Sequence, residues 1–165
     1  MKTEPFVISR VFDAPRERVW KSWTEPERLK QWWGPKGFTV THCKVDLRPG
    51  GLMHYALKTP DGKEMWGKFV YREIVKERKF VLVSSFSDKE AGITVHPFNA
   101  NWPREMLTTI TFEEQGGKTT VTVNWVPLDT STDIERKTFE DGRSSMKMGW
   151  TGTFEQFAAY VEHAK

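Results

Sequence analysis

Apolar positions recur along the chain at two spacings, and the changes between them mark out its elements. From Phe6 to Asp13 the period is two, with Phe6, Ile8 and Phe12 on one side and Val7, Ser9 and Val11 on the other. That alternation predicts a strand partly covered on both faces. Pro15 then opens a helix where its missing N–H costs nothing, with Val19 and Trp23 one turn apart as the buried stripe beside Trp20. Thr24-Glu25-Pro26-Glu27 fits the S/T-x-x-E capping box and predicts a second short helix carrying Leu29, Trp32 and Trp33, stopped by Gly34-Pro35-Lys36-Gly37.

From residue 38 to 127 the period returns to two, broken by turn sequences at Arg48-Pro49-Gly50-Gly51, Pro60-Asp61-Gly62 and Glu114-Gln115-Gly116-Gly117. A meander of antiparallel strands follows, whose apolar faces are set by Met53, Tyr55 and Leu57, by Phe80, Leu82, Ser84 and Phe86, by Met106, Thr108, Ile110 and Phe112, and by Val121, Val123 and Trp125. Thr120, Thr122 and Asn124 make the opposite face of the last strand polar and wet. Between about Thr132 and Ala164, the positions Phe139, Met146, Trp150, Phe154, Phe157 and Val161 trace one helical stripe, which predicts one long amphipathic helix. The order β-α-α-β(n)-α places the fold in the α+β class, with the helices on one face of the sheet.

The length of 165 residues suits one domain, residues 1–165, with one core. No apolar run approaches the roughly 20 residues of a spanning helix, and Glu4 and Pro5 interrupt the start where a signal peptide needs an apolar stretch. A soluble, cytoplasmic protein with no membrane insertion is expected. Cys43 is the only cysteine, which excludes an intrachain disulfide and a cysteine-rich zinc site. The 25 basic and 22 acidic residues are interleaved rather than gathered into a stripe, as where Glu77 separates Lys76 from Arg78 and Lys79, so no nucleic-acid partner is expected. A homodimer is plausible on its general frequency alone, with no residue-level argument for it.

Several short motifs together resemble a known family. Arg10-Val11-Phe12-Asp13-Ala14-Pro15, Val19-Trp20, Trp32-Trp33-Gly34-Pro35, Asp46-Leu47-Arg48-Pro49-Gly50-Gly51 and Gly149-Trp150-Thr151-Gly152 are similar to the heat shock protein 90 ATPase activator-like family of the START-like (SRPBCC), or helix-grip, superfamily. The resemblance implies a curved antiparallel sheet of six to seven strands wrapped around the C-terminal helix, with a deep cavity between them that in many superfamily members holds lipids, sterols, polyketides or other hydrophobic compounds. The family name also points to stress response. Its eukaryotic co-chaperones carry a further N-terminal domain that contributes to chaperone binding, for which this sequence has no room, and a chaperone partner is not expected here.

The eight Trp and eleven Phe either fill a core or line that cavity. The candidate ligand-binding residues are Trp33, Tyr55, Trp66, Phe86 and Phe98, together with Trp102, Met106, Trp125, Met146 and Trp150. A solid core with Trp125 against Trp150 and no void would exclude a binding role. Gly149 and Gly152 interrupt the last helix at a cost of roughly 1 kcal/mol each relative to alanine, and close backbone packing is the favoured reason over cavity space. The segment from Ser87 to Pro103, with Ile93, Val95, Phe98 and Trp102, reads either as a lid over the cavity mouth or as cover for a sheet edge. One of Arg72 and Glu73 is a candidate to face inward, where a lone carboxylate would have a raised pKa and could serve as an acid or base, against a cross-strand surface ion pair as the plainer reading.

No catalytic residue, metal or cofactor is assigned. His42, His54, His96 and His163 lack metal-site spacing, His42 and His54 occupy offset strand positions that argue against a shared metal, and no nucleophile elbow or P-loop occurs. The leading expectation is noncatalytic binding of a small hydrophobic or amphipathic molecule. The alternatives are a co-chaperone-like interaction module and, below it, a cyclase-like enzyme.

Overall fold

The computed structural model describes residues 3–96 and 99–163. The strand β1 (Phe6–Phe12) leads into α1 (Arg16–Thr24) and α2 (Pro26–Leu29), and β2 (Thr39–Val45), β3 (Leu52–Lys58), β4 (Glu64–Val75) and β5 (Lys79–Ser87) follow as a meander. The two-residue β6 (Ile93–Thr94), β7 (Met106–Gln115), β8 (Lys118–Pro127) and the helices α3 (Asp133–Asp141) and α4 (Arg143–Val161) complete the order. Seven strands pair antiparallel in the order β1-β8-β7-β5-β4-β3-β2, with β6 added to the far end of β5. The sheet curls into a half-barrel around the helices, which is the helix-grip arrangement. No helix among the described residues is long and apolar enough to cross a membrane.

Alternation places the inner faces of β3, β5, β7 and β8 as the sequence predicts, with Met53, Leu82, Ile110 and Val123 at most 1% exposed. On β1 the expectation of cover on both faces is corrected. Val7 and Val11 are 55% and 56% exposed, because the helices lie only on the concave side. The capping box expected at Thr24 does not form either. The Thr24 hydroxyl donates to the Trp20 carbonyl at 3.0 Å and closes α1, and α2 begins on Pro26 with no side-chain cap. A box does form at the start of α3, where the Glu135 N–H donates to Thr132 Oγ1 and the Thr132 N–H to Glu135 Oε1.

The one long C-terminal helix is two, broken at Gly142. A Cβ there would lie 2.8 Å from Cζ3 of Trp102, so that indole packs close against the backbone at the junction. A bulge between Tyr71 and Glu73 answers the question of inward charge. The extra residue, Arg72, resets the alternation, so Tyr71 and Ile74 face the core while Arg72 and Glu73 both face out. Glu73 pairs with Lys79 at 3.4 Å on the surface.

The C-terminal half of α4 is gripped by a solid aromatic core. Phe157 meets Phe12 and Trp32 at ring-centroid separations of 4.8 and 4.3 Å, and Phe154 meets Phe12 at 5.5 Å. Phe6, Met106, Phe139 and Met146 form a second buried cluster under the α3–α4 junction, with Trp102, Trp125 and Trp150 packed on it. The N-terminal half of α4 spans the space between the two.

Candidate functional site

That space is a cavity of about 750 Å³, within the roughly 300–1,000 Å³ range of small-molecule sites. Its sheet wall carries Tyr55 and Leu57 of β3, Met65 and Phe69 of β4, Phe86 of β5, Met106 of β7 and Trp125 of β8. Met146, Gly149 and Trp150 of α4 face them, Trp33 and Phe38 come from the segment after α2, and Trp102 from the segment before β7. Trp150 stands at the border between core and void, 6.2 Å from Trp33 and 6.1 Å from Trp125 between ring centroids.

The structure brings eight of the candidate residues to this wall: Trp33, Tyr55, Phe86 and Trp102, and with them Met106, Trp125, Met146 and Trp150. Trp66 is a correction. On β4 the inward positions are Met65, Gly67 and Phe69, so Trp66 takes the opposite parity and stacks on His54 at 4.9 Å on the convex face. Phe98 lies outside the described residues. Met65, Phe69 and Phe38 went unnoticed in the sequence, although counting back in twos along β4 from Tyr71 would have found the first two.

Gly149 also differs from expectation. A Cβ built on it meets nothing within 4 Å, and one on Gly152 meets only Lys36 N at 3.7 Å, so neither glycine serves close packing. Gly149 leaves volume in the cavity. The segment after β5 covers a sheet edge, as one of its two readings expected: Thr94 and Ile93 pair with Phe86 and Ser87 beyond the point where β7 leaves β5, and His96, Asn99, Trp102 and Pro103 line the cavity.

Several polar groups in the wall are bonded within the protein. Trp125 Nε1–H donates to Ser84 Oγ at 3.0 Å, the Ser84 and Thr108 hydroxyls share a bond of 3.1 Å, and Thr108 reaches the Met106 carbonyl. Tyr55 is different. Its hydroxyl lies over Gly67, where any side chain would collide with it, and burial pushes its pKa up to about 12, so it stays a protonated donor near neutrality. The Trp33 indole N–H sits close enough to lower that pKa slightly, but outside hydrogen-bond geometry, and it is buried without an acceptor. His96 has its pKa lowered by burial and is neutral at pH 7. Asp141 is the acidic side chain of the wall, paired with Lys137 at 3.5 Å.

On the convex face His42 and His54 come within 5.3 Å, closer than their offset positions suggested, because a bulge between Val40 and His42 shifts β2 against β3. The His54 Nε2–H donates to the Asp88 carbonyl at 2.9 Å. No group of three or more His, Cys, Asp or Glu side chains suited to a metal occurs among the described residues. The Cys43 thiol is pushed up to about 11 by burial, which keeps it protonated and unreactive near pH 7.

Residues 13–162 match the family described as Activator of Hsp90 ATPase homolog 1-like protein. The chain belongs to this family. Similar solved structures include a protein of Nitrosomonas europaea, 25% identical, covering 96% of this chain and 94% of that one with a TM-score of 0.75. A protein of Mycobacterium smegmatis is 23% identical over 99% of this chain and 93% of that one, with a TM-score of 0.77. The AHSA1 protein of Silicibacter pomeroyi is 16% identical over 94% and 95%, with a TM-score of 0.69. No curated protein matches the chain. For the family these likenesses support the half-barrel around α4; the ligand has to be argued from the wall of this cavity.

Proposed function

We propose that the domain binds a small, mostly apolar molecule between the sheet and α4 and performs no chemistry on it. The supporting observation is the void itself. Trp125 and Trp150 meet edge to face at 6.1 Å, as in a filled core, yet about 750 Å³ beside them stays open. Protein interiors normally leave few gaps larger than a water molecule, and the surface this one presents is mostly apolar. Burying an apolar ligand there removes both its surface and the wall's from water, at about 25 cal/mol per Å². Gly149 supports the same reading, since it gives up helix stability where nothing packs against it.

Native mass spectrometry of protein purified from its own host, followed by denaturation and analysis of what is released, tests this. A stoichiometric small molecule is the expected result. A clean apo mass, together with binding to the host chaperone and a change in its ATPase rate, would replace the binding role with an interaction module of the kind the family description names.

A further inference from the structure

Two hydrogen-bonding groups on one stretch of the cavity wall lack an acceptor. The Trp33 Nε1–H is buried with none, in a residue only 7% exposed. The Tyr55 hydroxyl has that Trp33 N–H beside its oxygen but no acceptor for its own proton among the described residues, and Tyr55 lines the cavity while keeping partial exposure. The Ser84, Thr108 and Trp125 groups further along are already bonded to one another. The titratable side chains in the described wall are Tyr55, His96 and Asp141, with no lysine or arginine among them. An anion in this cavity would meet no cation among the described lining residues, and the one carboxylate there, Asp141, is already paired with Lys137; a buried charge without a partner is heavily penalised.

Resting on the binding role proposed above, we infer that the cavity takes an uncharged ligand that presents a carbonyl-type oxygen to the Tyr55 hydroxyl, and that it rejects carboxylates. Tyr55 donates its O–H to that oxygen, while the Trp33 N–H, covered behind it, is not reached by the ligand. The apolar remainder of the ligand lies along Phe69, Trp150 and Met146.

Three probes of equal bulk separate the terms: methyl naphthyl ketone, ethylnaphthalene and naphthoate, titrated calorimetrically into the wild type and Tyr55→Phe. The ketone should bind about three- to tenfold more tightly than ethylnaphthalene, the range of one net hydrogen bond, and naphthoate at least about tenfold more weakly than the ketone. In Tyr55→Phe the ketone should fall to the level of ethylnaphthalene, which itself is unchanged. The carbonyl stretch of the bound ketone, lowered in the wild type, should return toward its unbonded frequency. Naphthoate binding as well as the ketone, or a ketone preference that survives Tyr55→Phe, overturns this inference and leaves the binding role standing. If none of the three binds up to its solubility limit, the binding role falls and the inference with it. Should the variant not fold, the three wild-type affinities decide alone.

Discussion

Replacing Gly149 by alanine should stabilise the domain. The residue lies inside the 19-residue helix α4, where glycine is about 1 kcal/mol less favourable than alanine. A Cβ there meets nothing within 4 Å, so no clash offsets the gain. For a domain of this size about 1 kcal/mol corresponds to a rise of roughly 2–4 °C in Tm. Gly149→Leu extends the argument: helix propensity again favours it, and its side chain enters the cavity and buries apolar surface, adding up to about 1.5–3 kcal/mol if fully covered. The same group occupies ligand volume, and affinity for an apolar probe should drop by about tenfold or more. Scanning calorimetry on the three proteins, with ethylnaphthalene titrations alongside, reads both effects. A lower Tm for Gly149→Ala would mean that the backbone is closely packed after all, and unchanged probe affinity in Gly149→Leu would mean that the ligand does not lie against α4.

Gly142→Ala should act in the opposite direction: its Cβ would sit 2.8 Å from the Trp102 ring and 3.2 Å from the Thr138 carbonyl, destabilising the domain by about 1–3 kcal/mol in urea unfolding. A gain in stability like that of a free helix position would refute the packing of Trp102 on that junction. Stability should also decline in alkali. Burial raises the Cys43 thiol from 9.0 to about 11 and the Tyr55 phenol from 10.0 to about 12, so the unfolded chain loses these protons first. Their contribution is whole below about pH 9 and is lost as pH rises through 11 to 12, which predicts urea midpoints that are flat from neutrality to pH 9 and fall above it. Midpoints that climb across that interval would contradict the burial of both groups.

The order of elements, the inner faces of four strands and the family were legible in the sequence because each is written in local pattern. Two-residue alternation assigns Met53, Leu82, Ile110 and Val123 to one face wherever a strand runs unbroken, and the helical stripe from Phe139 to Val161 needs no knowledge of its neighbours. What depended on partners distant in the chain was not legible there. A bulge inserts a residue relative to the adjacent strand, so the outward turn of both Arg72 and Glu73 and the meeting of His42 with His54 required the register of the sheet. Thr24 and Thr132 both fit the capping-box pattern, and only the helix geometry decided that Thr24 closes one helix while Thr132 opens another. Gly142 and Gly149 are the same residue in one helical run, and what stands where each Cβ would be, Trp102 or empty space, gives them opposite roles. The void is the least local quantity of all, being the volume enclosed by the curled sheet and α4 minus the side chains that fill it, and no segment of the sequence carries that difference.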